Sequence, residues 1–139
     1  MDQLELDDDY VPSADEPFMN DRQQAFFRAR LSEWRRDLLK ATQGTVCALQ
    51  DGTRSVPDIA DRASEETDRA LELRTRDRQR KLIAKIDSAL RRMDEGEYGY
   101  CVVSGDPISL KRLIARPTAT MTVEAQERHE RREKVYRDD

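Results

Sequence analysis

Thiol and imidazole side chains are scarce in this sequence, which has two cysteines, Cys47 and Cys101, and a single histidine, His129. Two cysteines provide no disulfide framework, and a pair of reduced thiols is the expected state. A structural zinc ion needs four soft ligands arranged in a tetrahedron. The sequence therefore excludes a complete zinc site built from two pairs of cysteines.

Long apolar stretches and a dominant positive charge are also missing. No run approaches the roughly 20 apolar residues of a membrane span, and the N-terminus is acidic where a signal peptide is basic. A protein that is soluble, cytoplasmic and free of membrane contacts is expected. The net charge is −4 at pH 7, whereas nonspecific DNA-binding proteins usually present a strongly basic face. Direct DNA binding is therefore the weakest interpretation.

The composition favours an elongated helical protein. Hydrophobic residues make up 37% and charged residues 39%, which is too polar for a single compact core but suits long helices with narrow apolar seams. The charges alternate in blocks: residues 1–20 and 51–73 are acidic, whereas residues 21–50 and 74–96 are basic. This pattern places a short acidic centre between two basic arms.

Two long helices joined by a short turn are predicted. Asn20 and Gln23 have the spacing of a capping box, and a coiled-coil seam follows: Phe27, Leu31, Trp34, Leu38, Ala41, Thr45 and Ala48. A turn at residues 51–53 precedes a second N-cap at residues 55–58. The second helix ends before Gly96, and its seam contains Ile59, Ala63, Ala70, Leu73, Ile83, Ile86, Leu90 and Met93. Periodicity alone is equally consistent with an ordinary arm of a helical bundle.

The predicted fold class is predominantly all-α, with three parts. Residues 1–17 form an acidic segment that is expected to be flexible, and residues 18–95 form a long antiparallel coiled-coil hairpin with its tip near residues 51–63. Residues 96–139 form a small, degenerate, metal-free region resembling a zinc finger, followed by a C-terminal helix.

A basic stripe is predicted on the second helix. Arg74, Arg78, Lys81 and Lys85 are spaced by four, three and four residues and therefore share one helix face. Four cations on one face can hold a polyphosphate. The alternative is a solvated face whose charge is balanced by Asp77 and Asp87.

Four segments occur in the order and spacing of the DksA/TraR family, which this chain resembles over residues 18–139. They are Asp58-x-x-Asp61-Arg62-Ala63, Glu72-Leu-Arg-x-Arg-Asp-Arg-x-Arg-Lys-Leu82, Gly99-Tyr100-Cys101 and Arg112-Leu-x-Ala-Arg-Pro-Thr-Ala119. The tip motif and the Ala-Arg-Pro-Thr-Ala segment are specific. The resemblance makes the chain a cysteine-poor member of the family.

The resemblance implies a monomeric, non-enzymatic transcription regulator whose partner is RNA polymerase. Such proteins insert the coiled coil through the secondary channel of the polymerase and modulate initiation at ribosomal RNA and biosynthetic promoters in the stringent response, together with ppGpp. Carried over, the working tip is Asp58, Asp61, Arg62 and Ala63, and the residues facing ppGpp include Arg78 and Lys85.

Two departures from the family pattern follow from the same resemblance. The four zinc-ligand positions correspond to Cys101, Ser104, Thr122 and Ala125, so zinc is not expected and no cofactor is expected in the free protein. Gln126 occupies a position where the family has a lysine that contacts ppGpp. Two alternatives remain: a transcript-cleavage factor that uses the same channel, and a coiled-coil adaptor with no polymerase role.

Overall fold

Four α-helices form the regular structure of the described part of the chain. The computed structural model describes residues 9–51 and 59–138, with side chains for residues 9–44 and 63–135. The predicted turn at residues 51–53 and the N-cap at residues 55–58 lie largely outside these ranges. No strand occurs within them, and no described helix is long and apolar enough to span a membrane. The helices are α1 (Asp21–Asp51), α2 (Ile59–Asp94), α3 (Leu110–Ala115) and α4 (Val123–Asp138).

The chain divides into two compact units. Residues Ser32–Asp87 form one, called the hairpin unit below. The residues up to Leu31 and those from Ser88 onward form the other, called the globular unit. The hairpin predicted over residues 18–95 therefore belongs to two units. Its first residues, up to Leu31, and its last, from Ser88, belong to the globular unit together with the finger-like region.

Within the hairpin unit, polar contacts join α1 to α2 in antiparallel order. Arg35 Nε donates to Asp87 Oδ1 at 2.6 Å, and Thr42 Oγ1 donates to Gln79 Oε1 at 3.3 Å. Residue numbers thus fall along α2 as they rise along α1. The predicted antiparallel pairing of two long helices is confirmed.

The apolar seam of the hairpin unit is covered over only part of its length. Ile86 is fully buried, and the residues Trp34, Leu38 and Ile83 are half-buried. The predicted seam is wrong at four positions, which are exposed: Ala41, Ala63, Ala70 and Leu73. Ala41, the next seam position of α1 after Leu38, offers only a methyl group to α2. The predicted seam residues Thr45, Ala48 and Ile59 lie outside the described side chains.

In the globular unit, α1 begins with a modified capping arrangement. Asn20 Oδ1 accepts from the backbone N–H of Gln23 at 2.8 Å, as predicted for an N-cap. The side chain of Gln23 does not return to Asn20, as a capping box requires, but accepts from the backbone N–H of Met19 at 2.8 Å. Met19 has a positive φ of 52°, which is uncommon for a residue other than glycine, and the Gln23 side chain that accepts from it is fully buried.

The segment before α1 contacts that helix through side-chain hydrogen bonds and a cation–π contact. Tyr10 donates its hydroxyl proton to the carboxylate of Glu16 at 2.9 Å, and the Arg22 guanidinium lies 4.0 Å from the centre of the Tyr10 ring. Gln23 Nε2 donates to the carbonyl of Ser13 at 3.2 Å. The sequence analysis, which expected a flexible segment over residues 1–17, did not predict these contacts.

The C-terminal end of α2 is closed by a glycine, as predicted. Gly96 has a φ of 76°, and its N–H donates to the carbonyl of Met93 while the N–H of Glu97 donates to that of Arg92. This pair of bonds is the Schellman arrangement. The chain then turns into the finger-like region, and the unit's core consists mainly of Phe27, Leu31, Met93, Tyr98, Cys101, Ile108, Leu113, Ala119 and Ala125.

Candidate functional site

The predicted tip lies at the start of α2. Asp58 is outside the described residues, and Asp61 and Arg62 are helical with side chains outside the described set. Ala63 is exposed, as are Glu65 and other side chains of the following turns. The backbone therefore places Asp61 and Ala63 in the first turns of a long helix, while the arrangement of the tip side chains remains a prediction.

The basic stripe is a row of exposed cations on α2. The stripe residues Arg74, Arg78, Lys81 and Lys85 are all exposed. Arg78 and Lys85 are seven positions apart, which corresponds to two helical turns and about 10 Å along one face. Such a spacing suits an extended anion with separated phosphates.

Of the two acids expected to neutralise the stripe, Asp77 pairs with a stripe residue and Asp87 does not. Asp77 bonds Lys81 at 3.0 Å and Arg80 at 2.9 Å, and these bonds, that of Lys81 first, lower the pKa of Asp77. Asp87 is paired with Arg35 of α1 instead. Arg78 and Lys85 form no ion pair with any side chain that the structure describes. The charge-balanced alternative therefore holds at Lys81, whereas Arg78 and Lys85 are exposed and have no ion pair among the described side chains.

The finger-like region contains a short hairpin whose two sides are joined by a tight turn at residues 101–105. Tyr100 and Pro107 form an antiparallel β-bridge, and the N–H of Cys101 donates to the carbonyl of Asp106 at 2.8 Å. Gly105, with a φ of 78°, donates back to the carbonyl of Cys101 at 2.9 Å. Residues 101–105 therefore keep the compact turn that a pair of metal ligands would need.

The three positions that the resemblance equates with missing zinc ligands, Ser104, Thr122 and Ala125, have local structural roles. Ser104 Oγ accepts from the N–H of Asp106 at 3.3 Å, and Thr122 Oγ1 accepts from the N–H of Ala125 at 3.2 Å. Thr122 thus caps α4, one of the two roles foreseen for it. Ala125 is buried, with 3% of its surface exposed. Hydrogen bonds and a methyl group occupy the positions that thiolates fill in a four-cysteine finger.

Cys101 is a buried thiol surrounded by donors. Burial raises its pKa, but the hydroxyl and N–H of Ser104, together with the N–H groups of Thr122 and Val103, outweigh burial and lower the pKa of Cys101 to about 6. These donors would also face a metal-bound thiolate. However, Cys101 is the one thiol at the four ligand positions, and no cluster of three or more potential ligands occurs among the described side chains. The residues present do not fit a structural zinc ion.

Sequence reasoning missed three side chains that donate hydrogen bonds to backbone carbonyls of the finger-like region. Arg92 Nη2 donates to the carbonyl of Tyr100 at 2.7 Å, and Arg112 Nε donates to that of Met121 at 2.9 Å. Tyr98 donates to the carbonyl of Pro117 at 2.7 Å, and burial raises its pKa. Arg112 and Pro117 lie in the specific segment of residues 112–119, which was the available signal.

Gln126 and His129 both lie on α4 and make hydrogen bonds or ion pairs within that helix. Gln126 is half-buried, and its Nε2 donates to Glu130 at 3.1 Å. His129 is exposed and pairs with Glu133 one turn later at 3.2 Å. His129 is therefore engaged within its own helix rather than with Cys101.

Comparison with known proteins matches nearly the whole chain. The family model described as DnaK suppressor protein DksA, N-terminal domain, matches residues 23–93, and the prokaryotic dksA/traR C4-type zinc finger matches residues 96–131. The protein named RNA polymerase-binding transcription factor DksA from Caulobacter vibrioides (strain NA1000 / CB15N) is 66% identical over 131 residues, covering 94% of this chain and 92% of the relative.

More distant relatives give the same result. The RNA polymerase-binding transcription factor DksA of Escherichia coli (strain K12) is 42% identical over 125 residues, 90% of this chain and 83% of that protein. The solved structure of transcription factor DksA2 from Pseudomonas aeruginosa superposes with a TM-score of 0.80 at 43% identity, over 88% of this chain and 93% of the other. Family models, relatives and fold agree, and the chain belongs to the DksA family.

Proposed function

We propose that this chain is a non-enzymatic transcription regulator that binds RNA polymerase in the cytoplasm. In this proposal it acts as a monomer, enters the secondary channel and brings the tip residues Asp58, Asp61, Arg62 and Ala63 near the catalytic centre. The observation that carries the proposal is the 66% identity over 94% of the chain to a protein named for RNA polymerase binding. The long α2 helix, with exposed side chains over its first described turns, supports it.

The proposal is tested by binding to purified core RNA polymerase. We expect a stable complex that a known secondary-channel protein displaces, because both would occupy the same opening. Stalled elongation complexes provide the second arm of the experiment. Release of short RNA fragments from them would identify the transcript-cleavage alternative, and absence of binding to core enzyme would leave only the adaptor.

We further propose that ppGpp is the ligand of the basic stripe when the chain is bound to polymerase. Arg78 and Lys85 are exposed and lack an ion pair among the described residues, which leaves them available to phosphate. Exposed charges attract an anion weakly in water and are screened by salt. A polymerase surface facing the stripe would exclude solvent and strengthen the same contacts. The free protein is therefore expected to bind ppGpp poorly.

Lys85→Ala is expected to lower the sensitivity of regulation to ppGpp by about tenfold, since a hydrogen bond to a charged group contributes about 1.5–3 kcal/mol. Lys81→Ala is the matched control, because the Lys81 ammonium already pairs with Asp77 and its loss should matter less. Gln126→Lys should raise the sensitivity. Titration of ppGpp in a promoter assay measures all three. Equal sensitivity in wild type and Lys85→Ala would remove the stripe from the ppGpp site.

We propose that the finger-like region folds without zinc. Treatment with a chelator is expected to leave the melting temperature unchanged, because hydrogen bonds accepted by the hydroxyls of Ser104 and Thr122 replace ligand bonds. Elemental analysis of purified protein should find far less than one zinc per chain. One zinc per chain, or unfolding in chelator, would contradict this account.

Cys101→Ser should cost about 1 kcal/mol near pH 6, the transfer free energy of one small buried group. The cost should grow as the pH rises toward 9. The folded thiol has a pKa of about 6, below the roughly 8.5 of an unfolded cysteine, so the unfolded chain binds more protons between these values. The resulting stabilisation is full above the unfolded pKa and lost as the pH falls through 6. Denaturant unfolding of wild type and Cys101→Ser at pH 6 and 9 measures the difference between their free energies of unfolding. If that difference does not change with pH, the thiolate assignment is contradicted.

A further inference from the structure

An apolar groove lies on the globular unit between the segment before α1 and the start of α3. Its volume is about 560 Å³, and its lining includes Pro12, Glu16, Phe18, Leu110, Lys111 and Ile114. Phe18, Leu110 and Ile114 are half-buried, so each leaves apolar surface in contact with water. Neither the tip nor the basic stripe contributes to this groove.

The charged groups of the lining favour an acidic ligand. Lys111 is exposed and forms no ion pair within the described ranges 9–44 and 63–135. Glu16 also lines the groove, but its carboxylate already accepts from Tyr10 and from the N–H of Ser13. Those bonds, with that of Tyr10 first, lower the pKa of Glu16. Lys111 is therefore the available charge in the groove.

Residues 1–8, which lie outside the described residues, have the matching chemistry. Leu4 and Leu6 are two positions apart and share one face of an extended chain. Asp2 and Asp8 flank them on the same face, whereas Glu5 and Asp7 lie on the opposite face. In an extended form, one face of the segment therefore combines two apolar side chains with an acid at each end.

The segment is also within reach of the groove. It joins the described chain at Asp9, and Pro12 of the lining is three residues further on. Eight extended residues span up to about 26 Å. Because the segment is tethered, it acts at an effective concentration in the millimolar range, so weak contacts suffice. The groove is the size of a small-ligand pocket, whereas a stable interface between proteins buries about 800 Å² per partner.

We propose that residues 1–8 dock in this groove of their own chain, with Leu4 and Leu6 against Phe18, Leu110 and Ile114 and an acid of the same face near Lys111. The acidic N-terminus then has a defined role as a cover for an apolar surface. An external acidic, leucine-containing peptide would have to displace it. The proposal does not depend on polymerase binding.

Hydrogen exchange of the amides in residues 108–115 tests the docking in the full-length protein. The double variant Leu4→Ser/Leu6→Ser should exchange several-fold faster there than wild type, and a chain lacking residues 1–8 should behave like the double variant. Gln3→Ser is the matched control and should leave exchange unchanged. A peptide of residues 1–8, added at millimolar concentration to the shortened chain, should restore protection.

Two outcomes would overturn the proposal. Equal exchange in wild type and in the double variant would show that the segment does not cover the groove. Protection that increases with protein concentration, together with dimers in sedimentation, would assign the groove to a second copy of the chain. The variants change residues outside the described core, so the fold should not be affected.

Discussion

Gly99→Ala is expected to lower the free energy of unfolding by about 2–4 kcal/mol. Gly99 has a φ of 93°, and an added Cβ would lie 3.0 Å from Met19 Cγ and 3.2 Å from its Cε. The Met19 backbone is held, because Gln23 accepts from its N–H and Gln24 donates to its carbonyl, so the clash must be relieved by moving the buried Met19 side chain. The substitution therefore combines backbone strain with a steric clash in the core of the globular unit.

Gly96→Ala is the matched control for this prediction. Gly96 also has a positive φ, of 76°, but an added Cβ would meet nothing within 4 Å. It should cost only the backbone strain, about 1 kcal/mol. Urea unfolding of the three proteins gives both differences. If the two variants lost equal stability, the close contact between Gly99 and Met19 would not contribute as described.

Asp61→Asn is expected to abolish most of the regulatory effect while leaving binding to polymerase within about threefold of wild type. The change removes one charge but keeps the size of the side chain and most of its hydrogen bonding. A carboxylate near a metal-bearing catalytic centre acts through its charge, whereas binding would rest on the length of the hairpin and on the globular unit. Asp68→Asn, the same change two helical turns later at an exposed position, should retain full activity.

The helices could be predicted because their signals are local. The Asn20 cap and the Gly96 stop are decided by backbone groups within a few residues of each, and both were found where the sequence placed them. The seam was less predictable, because burial depends on the facing helix. Ala63 and Leu73 follow the heptad spacing but are exposed.

The contacts around the finger-like region could not be predicted, because they join positions that are distant along the chain. The hydrogen bond from Tyr98 to the carbonyl of Pro117 spans 19 residues, and no spacing rule covers it. The hydrogen bond from the Tyr10 hydroxyl to the Glu16 carboxylate depends on a turn that has no strong sequence signal. The loss of zinc ligands was visible in the sequence, whereas the hydrogen bonds at those positions required the structure.

The central claim is that this member of the DksA family regulates transcription through its hairpin tip. The most direct test is in vitro transcription from a promoter with a short-lived open complex, comparing wild type with Asp61→Asn at equal measured occupancy of polymerase. We expect wild type to reduce transcript yield strongly and Asp61→Asn to have little effect. If Asp61→Asn lost binding but kept full activity per bound molecule, the tip would be an anchor, and the account would be contradicted.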